Sequence, residues 1–241
     1  MRIKTGRIGV GGLVWGSVLT LAAGCASTAQ DRSHSATMTP DSQAALTPEQ
    51  VIDDLRAGNE RFVSSRGVTR DLTAQVRATA SAQYPKAFVL GCVDSRVPPE
   101  VVFDQGIGDI FVGRVAGNVE NRDLLGSMEF ATQVAGSKAI VVLGHTSCGA
   151  VQGAVSGVEL GNLTGLLGEI EPVVDRVPTG AQGRTAQNAA YVDSVAEENV
   201  RATVRDVLSG SEVIAGLVDR GEVAIVGALY DTTTGSVRWL D

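Results

Sequence analysis

Four short apolar runs, residues 87–93, 110–112, 139–143 and 223–229, constrain this chain more than any other feature. Each is nearly continuous in apolar side chains, whereas a strand with one wet face alternates. They therefore read as strands buried on both faces. Segments of helical composition, residues 123–134, 150–158, 163–174 and 192–208, lie between them. Strand alternating with helix implies parallel pairing, because a parallel neighbour is reached only by a crossover. The expected fold class is α/β: a single domain with a mainly parallel four-stranded sheet and helices on both faces. Residues 237–240 follow the turn-rich stretch 231–235 and are expected to add a C-terminal edge strand.

Ahead of the first strand, Thr47-Pro48-Glu49-Gln50 carries a helix-start signal: an N-cap residue, proline at the first helical position and glutamine three residues after the cap. Ile52, Leu55 and Phe62 follow at helical spacing, and residues 71–83 allow a second helix, so an N-terminal helical arm is expected. Further upstream, Arg2, Lys4 and Arg7 precede an uncharged stretch, residues 8–24, in the arrangement of an export signal. The stretch falls short of the about 20 apolar residues a spanning helix needs. Leu21-Ala22-Ala23-Gly24-Cys25 resembles a bacterial lipobox, which implies cleavage before Cys25 and a lipid on it. The expected organisation is a signal peptide over residues 1–24, a flexible tether over 25–45 and one catalytic domain over 46–241. Such a protein would be exported and lipid-anchored at the bacterial cell envelope.

Composition removes several classes. With 44% hydrophobic residues the chain can bury a core, and its net charge of −7 argues against nucleic-acid binding, which favours a basic field. Three cysteines cannot staple a disulfide scaffold, and no Cys-x-x-Cys exists to suggest thioredoxin-like redox chemistry. Gly106-x-Gly108 lacks the third glycine of a dinucleotide fingerprint. The chemistry is expected where two strands end. The first closes in Cys92-Val93-Asp94-Ser95-Arg96, where alternation along an extended chain would let thiol, carboxylate and guanidinium converge. The third closes in His145-Thr146-Ser147-Cys148-Gly149. In open parallel sheets, ligands bind beyond the carboxyl ends of the strands. Two thiolates and an imidazole select Zn²⁺, with Asp94 either a fourth ligand or displaced by water. The chain's other histidine, His34, falls in the tether.

These segments, with CVDSRVPPE at 92–100, GDIFVGRVAGN at 108–118, VVLGHTSCGA at 141–150 and GALYDTTTGSV at 227–237, resemble the β-class carbonic anhydrases over roughly residues 46–241. The resemblance implies one Zn²⁺ per subunit held by Cys92, His145 and Cys148. Asp94 would pair with Arg96, so that a zinc hydroxide attacks CO₂ to give bicarbonate and a proton. It also implies a homodimer or a higher oligomer built from dimers. Gln83 would be contributed across the subunit interface, Phe111, Ala116 and Phe130 would line an apolar CO₂ pocket, and Gly149 would offer a backbone N–H. Arg114 is expected to support the sheet end or the dimer contact rather than touch substrate. The sequence departs from the family at Val115, Ala116 and Val89, where many members carry Asn, Val and, in a bicarbonate-inhibited subgroup, Trp. Two other readings use the same ligands: a zinc hydrolase of carbonyl sulfide or CS₂, and a non-catalytic zinc-binding lipoprotein.

Overall fold

A computed structural model describes residues 36–180 and 183–240. Its five-stranded sheet has the order β2-β1-β3-β4-β5, with β1 Ala87–Gly91, β2 Ile110–Arg114, β3 Ala139–His145, β4 Ala224–Tyr230 and β5 Val237–Leu240. The first four strands pair in parallel, and β5 returns antiparallel along β4. Strands β1 and β3 are buried along their whole length. In contrast, β2 is only half-buried, because it lies at the sheet edge.

Side-chain alternation along the central strands feeds two cores, one on each face of the sheet. Phe88, Leu90, Ile140 and Val142 pack on one face beneath α6 (Gly149–Val155) and the long α9 (Ala189–Gly210). Ala87, Val89, Val141 and Leu143 pack on the other against α2 (Pro48–Val63) and α4 (Pro99–Val102). The start of α2 is the capping box expected from its sequence: the Thr47 hydroxyl accepts from the Gln50 amide, and the Gln50 side chain accepts from the Thr47 amide. Within α2, Gly58 approaches the next element closely. A Cβ there would lie 1.9 Å from the Phe103 carbonyl oxygen, so only glycine lets the two backbones meet.

Four expectations change. Inside the stretch read as tether, Pro40–Ala44 form a helix, α1, and Gln43 is buried, its amide donating to the carbonyls of Pro85 and Ala135 at 2.8 Å each. Residues 36–45 therefore belong to the folded domain, tied by one polar side chain that composition does not reveal. The second helix of the arm, α3, covers only Leu72–Thr79, short of Gln83. The segment 123–134 is α5 (Arg122–Glu129) running into one π-helical turn, Phe130–Val134. The segment 163–174 is two helices, α7 (Gly161–Gly168) and α8 (Glu171–Arg176), with Pro172 near the start of the second. A further helix, α10 (Glu212–Asp219), is capped by the Ser211 hydroxyl. Residues 1–35, which include the expected signal, Cys25 and His34, lie outside the described residues. Among the described residues no helix is long and apolar enough to cross a membrane.

Candidate metal centre

The parallel register sets the two ligand-bearing loops side by side, because β1 and β3 are neighbours running the same way. Cys92 follows the last residue of β1, His145 is the last residue of β3, and Cys148 immediately precedes α6. The two sulfurs and one imidazole nitrogen lie within 4.8 Å of one another, and all three residues are buried. Tetrahedral bonds of about 2.1 Å to nitrogen and 2.3 Å to sulfur require ligand separations of about 3.5–3.8 Å, which fall inside the 4.8 Å that bounds the cluster. His145 Nδ1 donates to the Thr146 carbonyl at 2.9 Å, which in the neutral ring turns the Nε2 lone pair toward the sulfurs. Nε2 is buried and has no hydrogen-bond partner. A buried acceptor left unpaired beside two thiols is what a metal ion would satisfy.

Charge agrees with this geometry. A hydrogen bond from the Cys148 thiol, aided by His145 and the amides of Gly117 and Asp94, lowers the Cys92 thiol to about 4 against the opposing effect of burial. The same bond and burial push Cys148 up. Burial lowers His145, but the Cys92 thiolate beside it outweighs burial and raises it. Without a metal, these directions place negative charge on the Cys92 sulfur beside the imidazole.

Asp94 stands next to this cluster without belonging to it. Its Oδ2 lies 3.8 Å from His145 Nε2. Both carboxylate oxygens are gripped by Arg96, with Nε donating to Oδ1 at 2.9 Å and Nη2 to Oδ2 at 2.7 Å. These hydrogen bonds, opposed by partial burial, hold the Asp94 carboxyl far below the usual carboxylate range. The convergence does not come from strand alternation, since β1 ends at Gly91. Instead Asp94 opens a turn: its Oδ1 accepts from the Arg96 amide at 3.0 Å, and its carbonyl accepts from the Val97 amide at 3.1 Å. Asp94 thus stands outside the three-donor cluster, with both its carboxylate oxygens taken up by Arg96.

The loops are braced by residues the sequence did not single out. Ser147, at φ +54°, has its amide held by the Asp193 carboxylate of α9 at 2.8 Å. Arg96 Nη2 reaches the Ser147 carbonyl at 3.3 Å, bridging the two loops. Arg114 donates to the carbonyls of Cys92 and Asp94, the sheet-end support expected of it. Nothing in the sequence marks Asp193, which is 46 residues from its partner.

The expected pocket residues divide. Ala116 opens the turn whose next amide, that of Gly117, points at Cys92 Sγ from 3.4 Å, and Gly149 starts α6 directly after Cys148. Phe111 and Phe130 do not join the cluster. They meet edge-on at 6.0 Å and line a cavity of about 580 Å³ with Phe88, Val112 and Ser127, which none of the metal-site residues borders. Gln83 is exposed ahead of β1, at the opposite end of that strand from Cys92. Within one chain, therefore, these three residues stay away from the ligands.

Taken as chemistry, the strand ends of a parallel sheet here carry three donors suited to a zinc-like ion, next to a carboxylate clamped by Arg96. Three protein ligands with a position left over define a catalytic type of zinc site rather than a structural one. The comparisons with known proteins place it. The family described as carbonic anhydrase matches residues 87–237. The chain is 42% identical over 183 residues to carbonic anhydrase 2 of Mycobacterium tuberculosis, covering 75% of this chain and 87% of that one. It is 40% identical over 186 residues to a carbonic anhydrase of Mycolicibacterium smegmatis, covering 76% and 89%. Among solved structures, a β-carbonic anhydrase of Aspergillus fumigatus superposes with a TM-score of 0.61 at 26% identity, over 79% of this chain and 90% of that one. The tetrameric β-carbonic anhydrases of Sordaria macrospora include a chain with a TM-score of 0.60 at 25% identity, over 68% and 84%. The chain belongs to the β-class carbonic anhydrase family.

Proposed function

We propose that the protein catalyses the reversible hydration of CO₂ to bicarbonate and a proton, with Zn²⁺ held by Cys92, His145 and Cys148. The observation that carries this reading is the pairing of an unpartnered His145 Nε2 between two buried cysteines with an Asp94 carboxylate clamped by Arg96. Zinc, when bound, brings the pKa of water to about 7 and so supplies hydroxide at neutral pH. Arg96 keeps Asp94 from becoming a fourth ligand and keeps it ionised. With zinc bound, the Asp94 carboxylate would accept a hydrogen bond from the nucleophilic water and so orient it. The Gly117 amide steadies the Cys92 sulfur, and Ala116 and Gly149 leave room beside the ligands. Storage of zinc gains nothing from holding a carboxylate away from the metal, which argues for catalysis.

The homodimer is part of the same proposal. Gln83, Phe111 and Phe130 serve the substrate pocket only if a second copy presents them, and Phe130 is 49% exposed, with Val134, at 72%, exposed close by on the same π turn. The export signal and a lipid on Cys25 are proposed from the basic residues 2–7, the uncharged run to Gly24 and the small residues before the cysteine. The test of function is stopped-flow CO₂ hydration by the purified zinc-loaded chain. Catalysis well above the buffer rate is expected, and a rate equal to buffer alone would contradict the proposal.

A further inference from the structure

Behind Cys92 lies a turn that is unusual on three counts. Its 3₁₀ segment Ala116–Asn118 contains two successive residues in the left-handed region, Gly117 at φ +73° and Asn118 at φ +47°. Its ends are fixed by backbone bonds, Val115 N–H to the Gly91 carbonyl at 3.1 Å and Asn118 N–H to the Val115 carbonyl at 3.0 Å. In its middle, both polar groups of Gly117 meet side chains. There the Gly117 amide points at Cys92 Sγ from 3.4 Å, while the Gly117 carbonyl accepts from Asn199 Nδ2 of α9 at 2.7 Å. Asn199 is 2% exposed and is not one of the three clustered donors.

Glycine has two soft torsions and no Cβ to restrict them, so the direction of its N–H depends on what grips the adjoining peptides. The Val115 carbonyl holds the 117–118 peptide by its N–H and Asn199 holds it by its carbonyl, and the two together set the orientation of Gly117. If the Asn199 donor is removed, a buried carbonyl is left without a partner, a costly state that the turn escapes by rotating Gly117. Such a rotation swings the N–H off the sulfur. An N–H···S bond draws electron density from a thiolate, so its loss changes how strongly and how tightly that sulfur binds a metal.

We propose that Asn199 is a positioning residue for the metal centre, acting through the Gly117 peptide to keep an N–H···S hydrogen bond on the Cys92 ligand. The inference rests on the metal reading above and extends it to a residue 107 positions along the chain from the sulfur it serves.

The test uses the full chain loaded with Co²⁺, whose thiolate-to-metal charge-transfer bands report sulfur donation directly, together with chelator competition for Zn²⁺. Asn199→Ala is expected to move the sulfur charge-transfer band to lower energy and to weaken zinc binding about 10–100-fold, the usual effect of removing an outer-shell partner. Val200→Ala is the control. Val200 is fully buried on the same helix and packs against Gly144 and Gly227, so its truncation loosens α9 without touching the Gly117 carbonyl. It is expected to lower stability while leaving band and affinity unchanged. A wild-type spectrum and affinity in Asn199→Ala would overturn the proposal, as would equal changes in Val200→Ala. If Asn199→Ala does not fold, the native protein decides. Loaded with NMR-active cadmium and labelled with nitrogen, it should show scalar coupling from the Gly117 amide proton to the metal, and absence of that coupling would refute the contact. Failure of the wild-type chain to bind cobalt, zinc or cadmium would instead refute the metal reading itself.

Discussion

Gly117→Ala probes the packing behind the metal centre with a magnitude that the structure sets. The new methyl would sit 2.5 Å from Ile170 Cδ1 and 3.4 Å from Ala150 Cβ, and the residue would still have to hold φ +73°. The left-handed backbone costs an L-residue roughly 1–2 kcal/mol. Overpacking against Ile170, which is fully buried, adds about 1–3 kcal/mol. The single substitution should therefore cost about 2–5 kcal/mol. Ile170→Val removes the clashing carbon and alone should cost about 0.5–1.5 kcal/mol. In the double mutant the added methyl occupies the space that the valine vacates. Only the backbone strain then remains in full, so the double mutant should be more stable than Gly117→Ala alone. The assay is thermal and urea unfolding of the zinc-loaded protein, in which 1 kcal/mol corresponds to about 2–4 °C of Tm for a chain of this size. Additive losses, or a double mutant less stable than Gly117→Ala, would refute the contact and the geometry that places the Gly117 amide.

Arg96→Ala should retain zinc and lose CO₂ hydration about 10²–10³-fold, the scale of removing one preorganised charged partner, because Asp94 is freed to ligate. Metal analysis and stopped-flow kinetics read the two effects separately, and a structure of the variant with Asp94 still off the metal would contradict the reason given. Asp104 is buried between Arg61 and Arg70, and Asp104→Asn should cost about 2–3 kcal/mol, below the about 3–5 kcal/mol of a fully buried broken pair because Arg61 is 30% exposed. Burial pushes the Asp104 carboxyl up, but Arg61, Arg70 and the Val68 amide outweigh burial and hold it below its ordinary value. Its contribution is therefore full above the unfolded pKa of about 3.9 and fades as pH falls through the lower folded value. Wild type and variant should converge in stability under acid, and a gap that persists to the lowest pH at which both fold would refute the pairing. His145 is the only histidine among the described residues, so proton removal should fall to the buffer. Turnover number should rise with buffer concentration at fixed pH and ionic strength while kcat/KM stays nearly constant. Turnover independent of buffer down to about millimolar levels would point to an internal carrier.

The metal centre was legible because its chemistry needs rare residues. Two of the chain's three cysteines and one of its two histidines fall at strand ends, and Cys92-x-Asp94-x-Arg96 carries its own turn. The sheet was legible because β1 and β3 are buried on both faces and so show no alternation. Less could be read where one long-range contact decides the outcome. Residues 36–45 have the composition of a linker, and a single buried glutamine, Gln43, ties them to Pro85 and Ala135. The brace from Asn199 to Gly117 spans 82 residues, and no local pattern announces it. Phe111 and Phe130 look alike as pocket or as core from sequence. In one chain they face a cavity beside the edge strand β2, because an edge strand presents to its surroundings the side chains that a central strand buries.

Removal of single ligands tests the central claim most directly. Cys92→Ser, His145→Ala and Cys148→Ser, each purified as the full chain and measured for zinc content and CO₂ hydration on the same sample, should lose metal and activity together, since the site has three protein donors and each is indispensable. Full zinc with full activity in any one of the three would contradict the account.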